Sequence, residues 1–283
     1  MSNLDSTDLY KSNILVSVIT PNFNGAKFIN RCVECVRRQN FALELIIVDD
    51  FSTDNSWLIL IELAKKYSWL KPIKLQKNSG PAVARNKAIG LASGRYLAFL
   101  DIDDFWLPHK IKTQIDFMNK NKCAVSYSHY RFVNEDASKV GRRLQGYNQI
   151  GWHLHHMTRY LGCLTIMIDR TKVLDFKIPD LDPEYRVEDF NAWSQCISKY
   201  GPIFCCPHDL ARYTVSAGSR SANGKKAALS VWDFYRNKEK INLLTSSLYF
   251  TVYVIGVFWK RYRYRPIYKR DLVDKNNYWS ILP

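Results

Sequence analysis

The stretch Tyr96-Leu-Ala-Phe-Leu-Asp-Ile-Asp-Asp-Phe-Trp-Leu-Pro108 joins a short apolar run to three carboxylates. Tyr96 to Leu100, bounded upstream by Ser93-Gly94, has the length and content of a buried strand. Asp101, Asp103 and Asp104 follow at once, and Pro108 is placed to open a helix. Side chains alternate across a strand, so Asp101 and Asp103 are expected to point the same way. Two carboxylates at the exit of a buried strand are costly unless paired. They suit a hard divalent cation that also holds a phosphate-bearing substrate. Taken alone, Asp-x-Asp is equally a plain acidic turn.

Working upstream, apolar runs and helical stripes alternate. Ile14 to Thr20 is rich in β-branched residues and reads as a strand buried on both faces, closed by the turn Pro21-Asn-Phe-Asn-Gly25. Phe28, Cys32 and Val36 then step by four, a helical face. Glu44 to Val48 is a second strand with Asp49-Asp50 at its exit, and Ser52 to Ser56 supplies helix caps. A stripe from Trp57 to Ala64, a short strand over Pro72 to Gln76, a loop at Asn78-Ser-Gly80 and a helix over Pro81 to Leu91 complete the series. Four strand–helix alternations in about a hundred residues predict a Rossmann-like, mostly parallel, doubly wound α/β sheet with helices on both faces. Ligands of such sheets bind beyond the strand C-termini, so Asn22, Asp50 and Asp101/Asp103 are expected in one crevice. The glycine-rich dinucleotide fingerprint is absent after the first strand. Gly218 to Lys226 misses the P-loop spacing and puts lysine where the hydroxyl belongs.

Bulk properties narrow the partners. The 283 residues hold Lys+Arg 41 against Asp+Glu 26, a formal charge of +15 that favours anionic partners. Nucleic acid is disfavoured, because no helix-turn-helix, zinc-finger or RNA-recognition signature is present and acidic strand exits repel phosphate. The polar N-terminus, with Asp5 and Asp8, lacks the apolar core of a signal peptide, and the 7 cysteines are an odd number. Both observations lead to an expectation of reduced, buried thiols in the cytoplasm.

Four motifs occur in order: Val16-Ser-Val-Ile-Thr-Pro-Asn-Phe-Asn24, Ile47-Val-Asp-Asp-Phe-Ser-Thr-Asp-Asn-Ser56, Asn78-Ser-Gly-Pro-Ala-Val-Ala-Arg-Asn86 and Gly94-Arg-Tyr-Leu-Ala-Phe-Leu-Asp-Ile-Asp-Asp104. Together they resemble the family 2 glycosyltransferases of the GT-A fold, and Val187-Glu-Asp-Phe-Asn-Ala-Trp193 extends the likeness to about residue 220. The resemblance implies inverting transfer of a sugar, a hexose or N-acetylhexosamine, from a UDP-sugar with a divalent metal, Mn2+ or Mg2+. It implies that Pro21, Asn22, Asp50, Asn78 and Gly80 line the nucleotide, that Asp101 approaches the ribose, that Asp103 takes the metal and that Asp189 is the general base. Glu188 is assigned a first-turn helix-dipole role. The chemistry asks for these residue types independently. Cleaving a sugar–phosphate bond leaves charge on a diphosphate. An alcohol needs a base on the opposite face of the sugar. Rival readings are a catalytically inactive sugar-nucleotide binder and a basic nucleic-acid binder.

Several pieces sit outside those motifs. Asp54 is expected to cap its helix, Asp49 has no assignment, and Arg85 is as readily structural as phosphate-facing. Trp152-His-Leu-His-His156 is expected to form an acceptor-site loop or surface aromatic patch rather than a zinc site. Where the family often carries Tyr-Arg-x-His, this chain has Tyr213-Thr-Val-Ser216, and Arg220 is a candidate replacement for the lost diphosphate contact. Residues 1–225 are taken as the transferase domain, with a nucleotide-binding half at 14–110 and an acceptor-binding half at 111–225, and 226–283 as a helical extension. In that extension Ile241 to Trp259 is uncharged, and Lys260 to Arg270 holds six basic residues among three tyrosines. A surface-lying anchor on anionic lipid is expected, on the inner face of the cell membrane, rather than a span or a helix merely packed on the domain. Such an anchor suits a lipid-linked saccharide acceptor.

Overall fold

The computed structural model describes residues 14–158, 160–179, 187–216 and 224–264. Four parallel strands form as expected: β1 (Val16–Asn22), β2 (Leu43–Asp49), β3 (Leu70–Lys74) and β4 (Tyr96–Phe99). They alternate with α1 (Ala26–Arg37), α2 (Ser56–Lys66) and α3 (Pro81–Leu91). Every residue of β2 is buried, which explains its unbroken apolar run Leu45 to Val48. Helix α1 buries Phe28, Ile29, Cys32, Val33 and Val36, one stripe at spacings of three and four. Helix α3 starts where Gly80 takes φ +87°, a left-handed conformation natural to glycine, and Pro81 occupies the first helical turn.

The rest of the sheet is mixed. β5 (Phe105–Trp106), α4 (Lys110–Lys120), β6 (Val125–Asn134), β7 (Val140–Leu144), β8 (Gln149–Ile150) and α5 (Trp152–Met157) follow. Then come β9 (Met167–Asp169), α6 (Glu188–Tyr200), β10 (Ile203–Val215), α7 (Gly224–Asp233) and α8 (Leu243–Tyr264). The sheet order is β3-β2-β1-β4-β9-β6-β10-β5, with β7 on β6 and β8 on β10. β9 runs antiparallel between β4 and β6, so the parallel register stops at β4. One core packs α1, α2 and α4 against one face, and a second packs α3 and α6 against the other. A third cluster joins Val187 and Phe190 to Val231, Phe234, Tyr235, Ile241, Tyr249 and Tyr253, which seats the C-terminal helices on α6.

Two local expectations need correction. Residues 101–104 form a turn beyond β4, so strand alternation does not orient Asp101 and Asp103; the turn does. Pro108 does not open a helix. β5 intervenes, pairing with β10, and α4 begins at Lys110 after His109 in the left-handed region.

Candidate active site

Three loops meet at the C-terminal ends of β1, β2 and β4. The Asn22 amide donates to Asp49 Oδ1 at 2.7 Å and to Ser52 Oγ at 3.2 Å. Asp49, unassigned by sequence, therefore holds the first-strand turn in place. Asn24 continues the seam, accepting from the Thr53 N–H at 2.8 Å. Asp54 accepts from the Ser56 N–H at 2.9 Å, the expected cap, and also from the Ala26 N–H at 3.1 Å, so it serves the starts of α1 and α2 together. Gly25 is required by space: a Cβ there would meet Asn22 Oδ1 at 2.4 Å and Ile102 Cγ2 at 2.9 Å, so this turn lies directly against the Asp-x-Asp turn.

The Asp50 carboxylate receives the Ser79 and Gly80 N–H groups at 2.7 and 2.8 Å. It thereby neutralises donors at the N-terminus of α3 and fixes the loop bearing Asn78, which is exposed. Sequence reasoning passed over Phe23 and Phe51, large apolar side chains left exposed on these same neighbouring loops. Phe51 has φ +63°, a strained value for an aromatic residue, directly after Asp50.

The Asp-x-Asp turn is tied in three directions. Asp101 Oδ1 takes Arg85 Nη2 at 2.6 Å. Arg85 Nη1 lies 3.6 Å from Glu188 Oε1. Burial opposes the charge of Arg85, but Asp101 and then Glu188 hold its pKa above the ordinary value. Cys163 sits within electrostatic reach of Arg85, Asp101, Asp189 and Glu188, and burial keeps its thiol protonated. Asp101 and the acidic pair at the start of α6 therefore lie near one another, with Arg85 between Asp101 and Glu188. Asp189 is in the first turn of α6, and its Oδ1 accepts the Phe190 N–H at 2.7 Å.

Asp104 faces the other way and is buried, accepting the Thr214 N–H of β10 at 2.8 Å. Burial and the neighbouring Asp103 and Asp101 charges raise its pKa well above the carboxylate range. Arg31 of α1 also passed unnoticed. Its Nη2 donates to Asp103 O at 2.6 Å and to Thr214 Oγ1 at 3.1 Å, while its guanidinium lies over the Phe28 and Phe105 rings. A cation thus reaches position 214 from another element; no local pattern announces it, because 183 residues separate the partners. Arg220 lies outside the described residues.

The donor set fits a hard divalent cation. The Asp103 carboxyl is pushed up to about 6 by burial and then by the Asp101 charge, and a nearby dication offsets both. Among the described residues no group of three or more His, Cys, Asp or Glu is placed to cage a metal. One or two carboxylates completed by substrate phosphates is the arrangement such ions accept.

The Trp152–His156 expectation fails. These residues form helix α5, not a loop, and His155 and His156 are buried, not a surface patch. His155 stacks on Phe190 with ring centroids 4.2 Å apart and donates through Nε2–H to Phe190 O at 2.8 Å. The histidines thus support the backbone next to Asp189.

Comparison with known proteins identifies the family. The description Glycosyl transferase family 2 matches residues 17–179, more than half of the chain. TuaG of Bacillus subtilis, assigned to teichuronic acid biosynthesis as a glycosyltransferase, is 34% identical over 87% of this chain and 97% of its own. The Escherichia coli UDP-Glc:alpha-D-GlcNAc-diphosphoundecaprenol beta-1,3-glucosyltransferase WfgD is 32% identical over 77% of this chain and 84% of its own. Among solved structures, S. aureus TarS residues 1–349 with UDP-GlcNAc superposes with a TM-score of 0.62 at 19% identity, over 88% of this chain and 73% of that one. The mannosyltransferase PcManGT of Pyrobaculum calidifontis, solved with GDP-Man and Mn2+, gives 0.61 at 12%, over 89% and 76%. The chain is a glycosyltransferase and belongs to glycosyl transferase family 2.

Proposed function

We propose that this enzyme transfers a hexose or N-acetylhexosamine from a UDP-sugar to a hydroxyl of a lipid-linked saccharide in bacterial surface polysaccharide synthesis, inverting the anomeric centre, at the cytoplasmic face of the membrane. One observation carries the reading: Arg85 joins Asp101 to Glu188, so donor-side and acceptor-side carboxylates flank a single cleft. Donor and acceptor classes draw support from WfgD and WfaP, whose names give UDP-Glc and a diphosphoundecaprenol-linked sugar.

In this reading Pro21, Asn22, Asn78 and Gly80 wall the nucleotide pocket, and Asp50 keeps the third-loop wall in position through its two N–H contacts. Asp101 lies towards the ribose, its orientation fixed by Arg85. Asp103 would hold Mn2+ or Mg2+, and the ion, when bound, would supply positive charge against the leaving diphosphate. Asp189 takes the proton of the acceptor hydroxyl as its oxygen attacks the anomeric carbon from the side opposite the diphosphate. The Phe190 N–H on Oδ1 orients that carboxylate.

UDP release from candidate UDP-sugars, with Mn2+ against EDTA, tests the reading. Asp189→Asn is expected to lower kcat on the order of 10²–10⁴-fold while UDP binding persists. Asp103→Asn is expected to weaken UDP binding only when Mn2+ is present. Binding without turnover in the unaltered protein would favour the inactive sugar-nucleotide binder instead.

A further inference from the structure

Helix α8 has two opposite sides of unlike character. Ser246, Tyr249 and Tyr253 are buried on the body of the protein. Tyr249 meets His153 and the Trp152 ring of α5, and farther along Lys260 reaches the Tyr130 and Phe132 rings of β6. Leu244, Leu248, Ile255, Phe258, Trp259 and Tyr262 are exposed. At roughly 100° per residue these six fall within an arc of about 100°, and the buried three centre on the diametrically opposite side. The outward arc is therefore a continuous apolar stripe along a 22-residue helix. Thr251 lies inside the stripe, and its hydroxyl donates to Ser247 O at 2.8 Å, so it presents no unsatisfied donor.

Among the described residues α8 is the one helix long and apolar enough to cross a bilayer by length and composition. Its seating argues for a different disposition. It is held against the body near its start and again at Lys260, so it lies along the domain and does not project from it. A stripe of leucine, isoleucine and aromatic side chains ending at Lys260-Arg-Tyr-Arg263 is the composition of an interfacial helix on anionic headgroups. The formal charge of +15 acts in the same direction.

We infer that the outward face of α8 docks on an anionic lipid surface, parallel to it, and fixes the orientation of the catalytic body. The linkage is short. Tyr249 of α8 touches His153 of α5, and His155 of α5 stacks on Phe190, the neighbour of Asp189. The acidic pair thus lies two side-chain layers from the lipid-facing helix, where a lipid-linked hydroxyl is presented. That last step rests on the function proposed above; the lipid contact itself does not.

Flotation of the purified full chain with phosphatidylcholine vesicles, with and without phosphatidylglycerol, is the test. The unaltered protein is expected to float with the anionic vesicles, less so at high salt. Leu248→Glu/Phe258→Glu is expected to reduce that fraction at least tenfold, whereas Leu58→Glu, an exposed leucine on α2, is not. Thermal melting checks that the variants fold, and Tyr262→Glu provides a second, milder variant on the same stripe. Failure of the unaltered protein to float, or flotation undiminished in both stripe variants, overturns the inference. So does light scattering that finds a dimer dissolved by the double variant in a chain that never binds vesicles. Flotation needs no donor sugar: a chain that floats without transferring overturns only the proposed reaction, and one that transfers without floating overturns only the lipid contact.

Discussion

Contacts within residues 14–110 differ in reach from the contacts that tie those residues to the rest of the chain. In the first, each strand-end loop is stitched to the next repeat: Asn22 to Asp49 across 27 residues, Asp50 to Ser79 across 29, Asp101 to Arg85 across 16. In the second, the ties are longer: Asp104 to Thr214 across 110 residues and Arg31 to Thr214 across 183. A pocket built from adjacent βα units is rigid by repetition.

Arg85 gives the hardest test of that contrast, because it belongs to the first half and reaches the second. Arg85→Met leaves Asp101 and Glu188 without their buried cation and is expected to cost about 3–5 kcal/mol. Amide exchange is expected to rise first at the start of α6, with β1 to β3 unaffected. Uniform loosening of both halves would show that they are a single cooperative unit.

Acid separates the halves by sign. All six histidines lie between His109 and His208, and all but His109 fall after residue 110. Burial holds His156 down to about 4; its Nδ1–H donates to the Trp152 carbonyl at 2.8 Å, while Nε2 lies 3.9 Å from Glu239 Oε1 and makes no hydrogen bond among the described residues. Below about pH 6.5 the unfolded chain takes up this proton and the folded one does not, so stability falls as pH drops towards about 4, by about 3 kcal/mol in all. His129, also held to about 4 by burial, adds to the same loss. Asp103, raised to about 6, has the opposite sign: its protonation favours the folded state as pH falls below 7. Denaturant melts between pH 7 and 5 are therefore expected to weaken α5 and its partners while the Asp-x-Asp turn is spared. His156→Phe is expected to flatten the curve. An unchanged slope would assign the acid sensitivity elsewhere.

The same contrast explains what the sequence disclosed. The parallel strands and α3, whose ends Pro81 and Leu91 were legible from the proline and the following glycines, are local patterns. So were the motif residues at the strand exits, since a parallel sheet gathers its C-terminal loops on one edge. β9 was visible only as an apolar run, because nothing local tells that three residues will insert antiparallel beside β4. His155 and His156 were misread because a loop or surface patch was expected where a helix forms. A short helix wedged between α6 and α8 buries two faces, which puts adjacent residues inside together. Arg31 gave no signal at all, since its partners lie 72 and 183 residues away.

Thr214 offers the finest cut between the halves. Its backbone N–H holds Asp104, and its hydroxyl accepts from Arg31. Thr214→Val keeps the shape and the backbone contact and removes the hydroxyl. Arg31 Nη2 retains the Asp103 carbonyl at 2.6 Å, while its other N–H loses the hydroxyl. The expected cost is therefore that of one modest hydrogen bond, about 1 kcal/mol. The guanidinium no longer bonds β10, while Arg85 still holds Asp101 and the Thr214 N–H still holds Asp104. A few-fold rise in the donor's KM with little change in kcat is the expected kinetic result. A loss of 3 kcal/mol or more, well above ~1 kcal/mol, would mean that the β10 contact, and not the βα repeat, keeps Asp101 and Asp103 in register.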